Sequence, residues 1–269
     1  MDQNDKIKRN LIIYIIGVLS LSVIGSFITV YINEIGGLIF IMGPIFMTLL
    51  LRFIGGDRWK DAGLGLKLKQ SWRWYLLSIF LFPIVIGIII GLGMIIGVTK
   101  INGDLATIFP LFIAGLAVQF LPYTVFALFE EWGWRGYMEP RLAALGIPDF
   151  KRHMIVGFIW SLWHIPLILS TNDTDIHYFI FFPLFIISVL LLAIVYGQIR
   201  KHSKTVWPCV IFHGISNTFA YALIDTNALT FNNKVLAYIS PESLFSIVLW
   251  GIVSWLLIVK FNKVNLFKS

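Results

Sequence analysis

Eight apolar runs of spanning length dominate the sequence, at about 11–32, 35–54, 74–98, 107–129, 154–170, 178–199, 205–224 and 243–259. Such runs cannot all be hidden in one water-soluble core. In hydrocarbon about 30 Å thick, a segment of roughly 20 residues satisfies its backbone only as a helix. The composition agrees, with 58% hydrophobic residues and 13% charged, against roughly 25% charged in soluble domains. The expected fold class is therefore all-α: a polytopic membrane protein, a bundle of about eight transmembrane helices, with one intramembrane domain over 1–269 and no soluble domain.

The formal charge of +7 does not point to nucleic acid, because the basic residues lie in the connections between spans. If the N-terminus, with Lys6, Lys8 and Arg9, is cytoplasmic, alternation places 19 of the 21 basic residues inside and only Lys100 and Lys234 outside. That bias is the positive-inside pattern, and a wrong number of spans would scramble it. Both termini are expected in the cytoplasm, and the first run reads as an uncleaved helix rather than a signal segment. The polar segment 55–73, with Trp59, Leu64, Leu66, Leu68 and Trp72 among lysines and arginines, suits an inner-face interfacial anchor. Cys209 stands alone, which leaves no intrachain disulfide.

Titratable groups inside spans are costly and mark functional sites. Here the set is Glu130, Glu131 and Arg135 on the fourth span, His164 on the fifth, and His213 with Asn217 on the seventh. Glu131 and Arg135 are i,i+4 and so can pair; His213 with Asn217, and Trp160 with His164, share helix faces by the same spacing. Glu130 lies 11 residues before Arg141, His164 lies 12 after Arg152, and His213 lies 9 after Lys204. At ~1.5 Å per residue all three sit roughly 14–18 Å from the inner face. Three helices thus bring costly groups to one level, with Arg135 expected to partner Glu131 and the histidines Glu130. The depth also suggests a substrate arriving from the cytoplasmic side. His153, beside Lys151 and Arg152, is expected at the inner surface, and His177 and His202 in loops.

A buried glutamate and an imidazole could activate water, and a histidine–asparagine pair could stabilise an oxyanion. The Glu131–Arg135 pair fits either a structural or a supporting chemical role. No H-E-x-x-H helix is present. Glu130, His164 and His213 nevertheless form an allowed zinc set with an open position for water, so metal dependence stays open and no cofactor is required.

Read together, "EEWGWR" (130–135), "WSLWH" (160–164) and "HGISN" (213–217) resemble the E-E-x-x-x-R, F-x-x-x-H and H-x-x-x-[ND] motifs of the type II CAAX prenyl proteases and their bacterial relatives, the CAAX protease and bacteriocin-processing (CPBP) family of intramembrane proteases. The motifs keep the family order inside a core of 107–224, and Trp160 replaces the family's phenylalanine. The resemblance implies an endopeptidase in which Glu130 with His164 activates water, His213 with Asn217 stabilises the oxyanion, and Glu131, Arg135 and Trp160 support them. It implies a membrane-associated or lipidated peptide or protein as substrate: a CAAX-type tail or, in a bacterial plasma membrane, a pheromone, bacteriocin or membrane-protein tail. The other readings compatible with these residues are a proton-coupled transporter and a non-proteolytic scaffold that regulates a membrane partner.

Overall fold

The computed structural model describes residues 2–171, 174 and 176–266, with side chains described up to Lys260. The outer-loop residues 172, 173 and 175, Lys268 and the side chain of Lys263 therefore fall outside the described residues. Among those described, eight long helices follow the eight apolar runs: α1 (Gln3–Tyr31), α2 (Ile35–Phe53), α3 (Leu68–Ile95), α4 (Leu105–Ala144), α5 (Asp149–Thr171), α6 (Tyr178–Ser203), α7 (Trp207–Asp225) and α8 (Leu244–Leu266). Six of them, α1 to α6, are long and apolar enough to cross a membrane. Polar site residues dilute α7, and α8 counts as apolar over the shorter stretch Leu244–Lys260. The chain is an all-α, multi-pass integral membrane protein.

Its surface is inverted relative to a soluble fold. In the most apolar stretch of α4 nothing is buried, and Leu105, Phe109, Leu111, Val118 and Leu121 face outward, as expected where lipid is the solvent. The buried interior instead collects polar and aromatic groups, including Glu131, Arg135, Trp134, Tyr137 and Trp163, each 0% exposed.

The connections sort to two ends. At one end, two short strands, β1 (Thr99–Ile101) and β2 (Leu229–Phe231), pair antiparallel and join the α3–α4 turn to the α7–α8 turn. At the other, the segment 55–67 folds across the helix ends. Its Gly63 carbonyl accepts from Val206 N at 2.9 Å, and Trp207 Nε1 donates to Leu64 O at 2.7 Å. This segment also carries two acids whose role the anchor reading missed. Asp57 accepts from Tyr137 Oη at 2.6 Å, from Asn10 Nδ2 at 3.1 Å and from Arg141 Nη1 at 3.3 Å. Asp61 pairs with Arg52 at 3.1 Å and with Arg141.

Helix α4 contains one turn of π-helix, Trp134–Met138, immediately after the two glutamates. Pro140 supplies the cause. It has no N–H for the Gly136 carbonyl and its ring crowds that oxygen, so the turn widens. Glu139 N donates to Trp134 O, five residues back. The carbonyls set free are taken by two arginines from other helices: Arg52 Nη2 donates to Gly136 O at 2.6 Å and Arg200 Nε to Arg135 O at 3.0 Å. Single π turns inside helices recur at functional sites.

Candidate active site

Glu130 and Glu131 are 3% and 0% exposed. They reach different partners because adjacent residues on a helix point about 100° apart. Glu131 Oε1 accepts from Arg135 Nη1 at 2.9 Å along α4, and from His213 Nδ1 on α7 at 3.0 Å. Glu130 Oε2 accepts from Trp160 Nε1 on α5 at 2.9 Å, while its Oε1 lies 3.8 Å from His213 Nε2. One residue pair therefore bridges three helices.

Close helix crossings make these contacts possible. A Cβ on Gly133 would lie 2.5 Å from Pro44 Cβ on α2 and 2.5 Å from Tyr14 Oη on α1. A Cβ on Gly214 would lie 2.7 Å from Thr124 Oγ1 and 3.0 Å from Thr124 Cα on α4. Glycine at 214 lets α7 approach α4 closely enough for the adjacent His213 to touch Glu131.

The hydrogen bonds also fix proton positions. His164 Nδ1 is 2.9 Å from the Trp160 carbonyl, an oxygen that can only accept, so the neutral ring keeps its Nε2 lone pair free. His213 Nδ1 faces a carboxylate and likewise carries its proton there. The guanidinium of Arg135 is held between two rings, 4.6 Å from the centroid of Trp160 and 4.3 Å from that of Tyr196, a cation–π arrangement suited to a buried charge. Tyr196, on α6, also stands 5.8 Å from the His213 ring. Nothing in the spacing of α6 singles it out, so sequence reasoning missed it.

Glu130, His164, His213 and Asn217 all line one cavity of about 710 Å³, together with Phe40, Ile41, Tyr123, Phe126 and Tyr221. Glu131, Arg135 and Trp160 stand behind its wall. The cavity does not open where the depth argument suggested. Beneath the glutamates, toward the end bearing the segment 55–67, Trp134, Tyr137, Met138 and Trp163 are all fully buried. The space continues instead past Leu167 and Tyr221 to Glu34, Ile35 and Leu38, at the start of α2. Depth within a helix locates a group; it does not say which side packs shut.

Arg135 partners Glu131 as expected, and His213 Nε2 comes within 3.8 Å of Glu130 Oε1; the expectation lacked the hydrogen bonds from Trp160 to Glu130 and from His213 to Glu131. His153 lies beside Lys151 and Arg152 in the first turns of α5, and its ring is 1% exposed because it packs against Gly197, with Nδ1 2.9 Å from Glu139 Oε1. His202, expected in a loop, is in the last turn of α6. As for metal, among the described residues no three His, Cys, Asp or Glu side chains are grouped so as to hold an ion. The donor set as placed does not fit zinc.

Residues 116–219 match the family model for the Rce1-like type II CAAX prenyl endopeptidases. A protein named CAAX prenyl protease 2, from Methanococcus maripaludis, is 36% identical over 96 residues, which is 34% of this chain and 35% of that protein. The match thus spans about a third of the curated relative's length. All three motifs lie inside the stretch matched by the family model, and the resemblance to the CAAX protease family holds for that stretch.

Proposed function

We propose, from the family match that contains all three motifs, that this chain is an intramembrane endopeptidase of the CAAX type, acting on a membrane-associated or lipidated peptide or protein within the bilayer. The observation that carries the reading is the convergence of Glu130, His164, His213 and Asn217 on one cavity. Water held against Glu130 and the free Nε2 of His164 loses a proton to the carboxylate and attacks the scissile carbonyl. Charge then develops on the carbonyl oxygen, where the Asn217 amide and His213 Nε2 act as donors. His213 Nδ1–H is held toward Glu131, so Nε2 donates when the ring carries its second proton. Glu130 returns its proton to the leaving amine. Glu131, Arg135 and Trp160 hold these groups in place, and the whole chain, 1–269, works as one unit.

The charge bias of the connections supports cytoplasmic termini, and we take the membrane to be a bacterial plasma membrane. The decisive experiment is hydrolysis of an internally quenched, lipidated reporter peptide by purified protein in nanodiscs. The variants Glu130→Gln and His164→Ala should lose turnover by at least a hundredfold while unfolding at the wild-type temperature. Undiminished turnover in Glu130→Gln excludes the proposed base.

A further inference from the structure

We infer that the cavity is served from the outer, extracytoplasmic side of the membrane, so that the substrate is a peptide or protein segment presented at or within the outer half of the bilayer. This rests on the proteolytic reading and on the cytoplasmic placement of the termini. It reverses the side suggested by the depth of the catalytic residues.

Two independent features lead there. The first is closure of the basic end. The segment 55–67, the Asp57–Arg141 pair and the Arg52–Asp61 pair lie across it, and the layer of Trp134, Tyr137, Met138 and Trp163 beneath the glutamates is inaccessible. The second is the course of the cavity. Helices α2 and α4 meet at Pro44 and Gly133, and Arg52 reaches Gly136 one turn further on. Toward their other ends Leu38 and Ile41 face the same space as Tyr123 and Phe126. That space ends at Glu34, in the turn between α1 and α2, which is the first connection after the basic N-terminus has crossed. By the same alternation Lys100 and Lys234, the two basic residues on that side, sit on the turns joined by β1 and β2.

The distances suit an extended chain. Phe40 packs edge-on against His164 with centroids 6.2 Å apart, and Glu34 precedes Phe40 by six residues. At ~1.5 Å per helical residue the mouth lies about 9 Å along α2 from the level of Phe40. An extended peptide covers that in about three residues at ~3.3 Å each. A substrate need thread only a short tail to reach the glutamate.

Cysteine accessibility and sided hydrolysis test this together. Cys209 is 0% exposed and, as Ala, leaves a thiol-free background. In it, Glu34→Cys marks the mouth, Tyr221→Cys the cavity wall, and Lys60→Cys the opposite end. In intact expressing bacterial cells a sulfonated, membrane-impermeant maleimide should label the first two, and Lys60→Cys only after permeabilisation. Sealed right-side-out vesicles should cleave an impermeant quenched peptide at least tenfold faster than inverted ones. Labelling of Lys60→Cys from outside with Glu34→Cys protected, or faster cleavage by inverted vesicles, overturns the assignment, as does protection of Tyr221→Cys in both intact and broken membranes. Failure of the proteolytic reading is separate: Glu130→Gln would then cleave like wild type while the labelling pattern still reports which face the cavity meets.

Discussion

The indole Nε1 of Trp160 donates to Glu130 Oε2 at 2.9 Å, a bond for which the family's phenylalanine has no atom. The same residue accepts from His164 Nδ1 through its carbonyl and stacks under Arg135. One residue of α5 therefore orients the carboxylate, an imidazole and the buried guanidinium.

Replacing Trp160 by Phe should keep the packing and remove only the donor. A hydrogen bond to an ionised group is worth about 1.5–3 kcal/mol. Without it the Glu130 carboxylate keeps its place beside His213 but loses the donor that orients Oε2. In Trp160→Phe kcat/KM should fall by roughly ten- to a hundredfold with the unfolding temperature little changed. Undiminished turnover would mean that the indole only fills space.

Glu131 and Arg135 are both 0% exposed as side chains, so neither charge can be left alone. Arg135→Leu should cost about 3–5 kcal/mol, the usual penalty for orphaning a buried charge. The paired variant Glu131→Gln with Arg135→Met should recover more than half of that loss. Denaturant or thermal unfolding in detergent measures both, and equal loss in single and double variants would refute the pairing account.

Gly133 sits against two other helices, whereas a Cβ added to Gly37 would meet nothing within 4 Å. Gly133→Ala should therefore destabilise by about 1–3 kcal/mol through overpacking, and Gly37→Ala, in a helix with open space at Cβ, should leave the unfolding temperature unchanged or raise it. Equal behaviour of the two would contradict the close crossing at Pro44.

Because the donor set does not group around an ion among the described residues, hydrolysis should survive prolonged incubation with a strong chelator. Metal analysis of the active protein should find far less than one equivalent of zinc. Loss of activity on chelation with full recovery on adding zinc would reverse this conclusion.

Much of the architecture is legible because each helix carries its own signal in about twenty apolar residues, and the intramembrane Glu, Arg, His and Asn stand out against that background. The helical spacing of Glu131 and Arg135 foretells their ion pair. What the linear pattern hides is long-range. Pro140 widens one turn of α4, but nothing in the linear pattern says that Arg52 and Arg200 take the carbonyls it frees. The partners of Asp57 and Asp61 appear only once the segment 55–67 folds over the helix ends. In the sequence Trp160 is a tolerated aromatic swap; only the approach of α5 to α4 reveals its N–H at work. The direction of the cavity follows from how helices splay, which no count of residues along one helix encodes.

The two-stranded ladder has a mechanical consequence. By clasping the turn after α3 to the turn after α7, and with Gln119 donating to Asp225 at 2.6 Å, it makes α4 and α7 a stapled wall. Among the described residues, no strand ladder reaches the α1–α2 hairpin opposite, which is held by packing: Gly36 against Gly25 and Thr29, and Phe40 stacked on Trp163. Of the two sides of the cavity, the one that carries Glu130, His213 and Asn217 is thus the one tied at its loops.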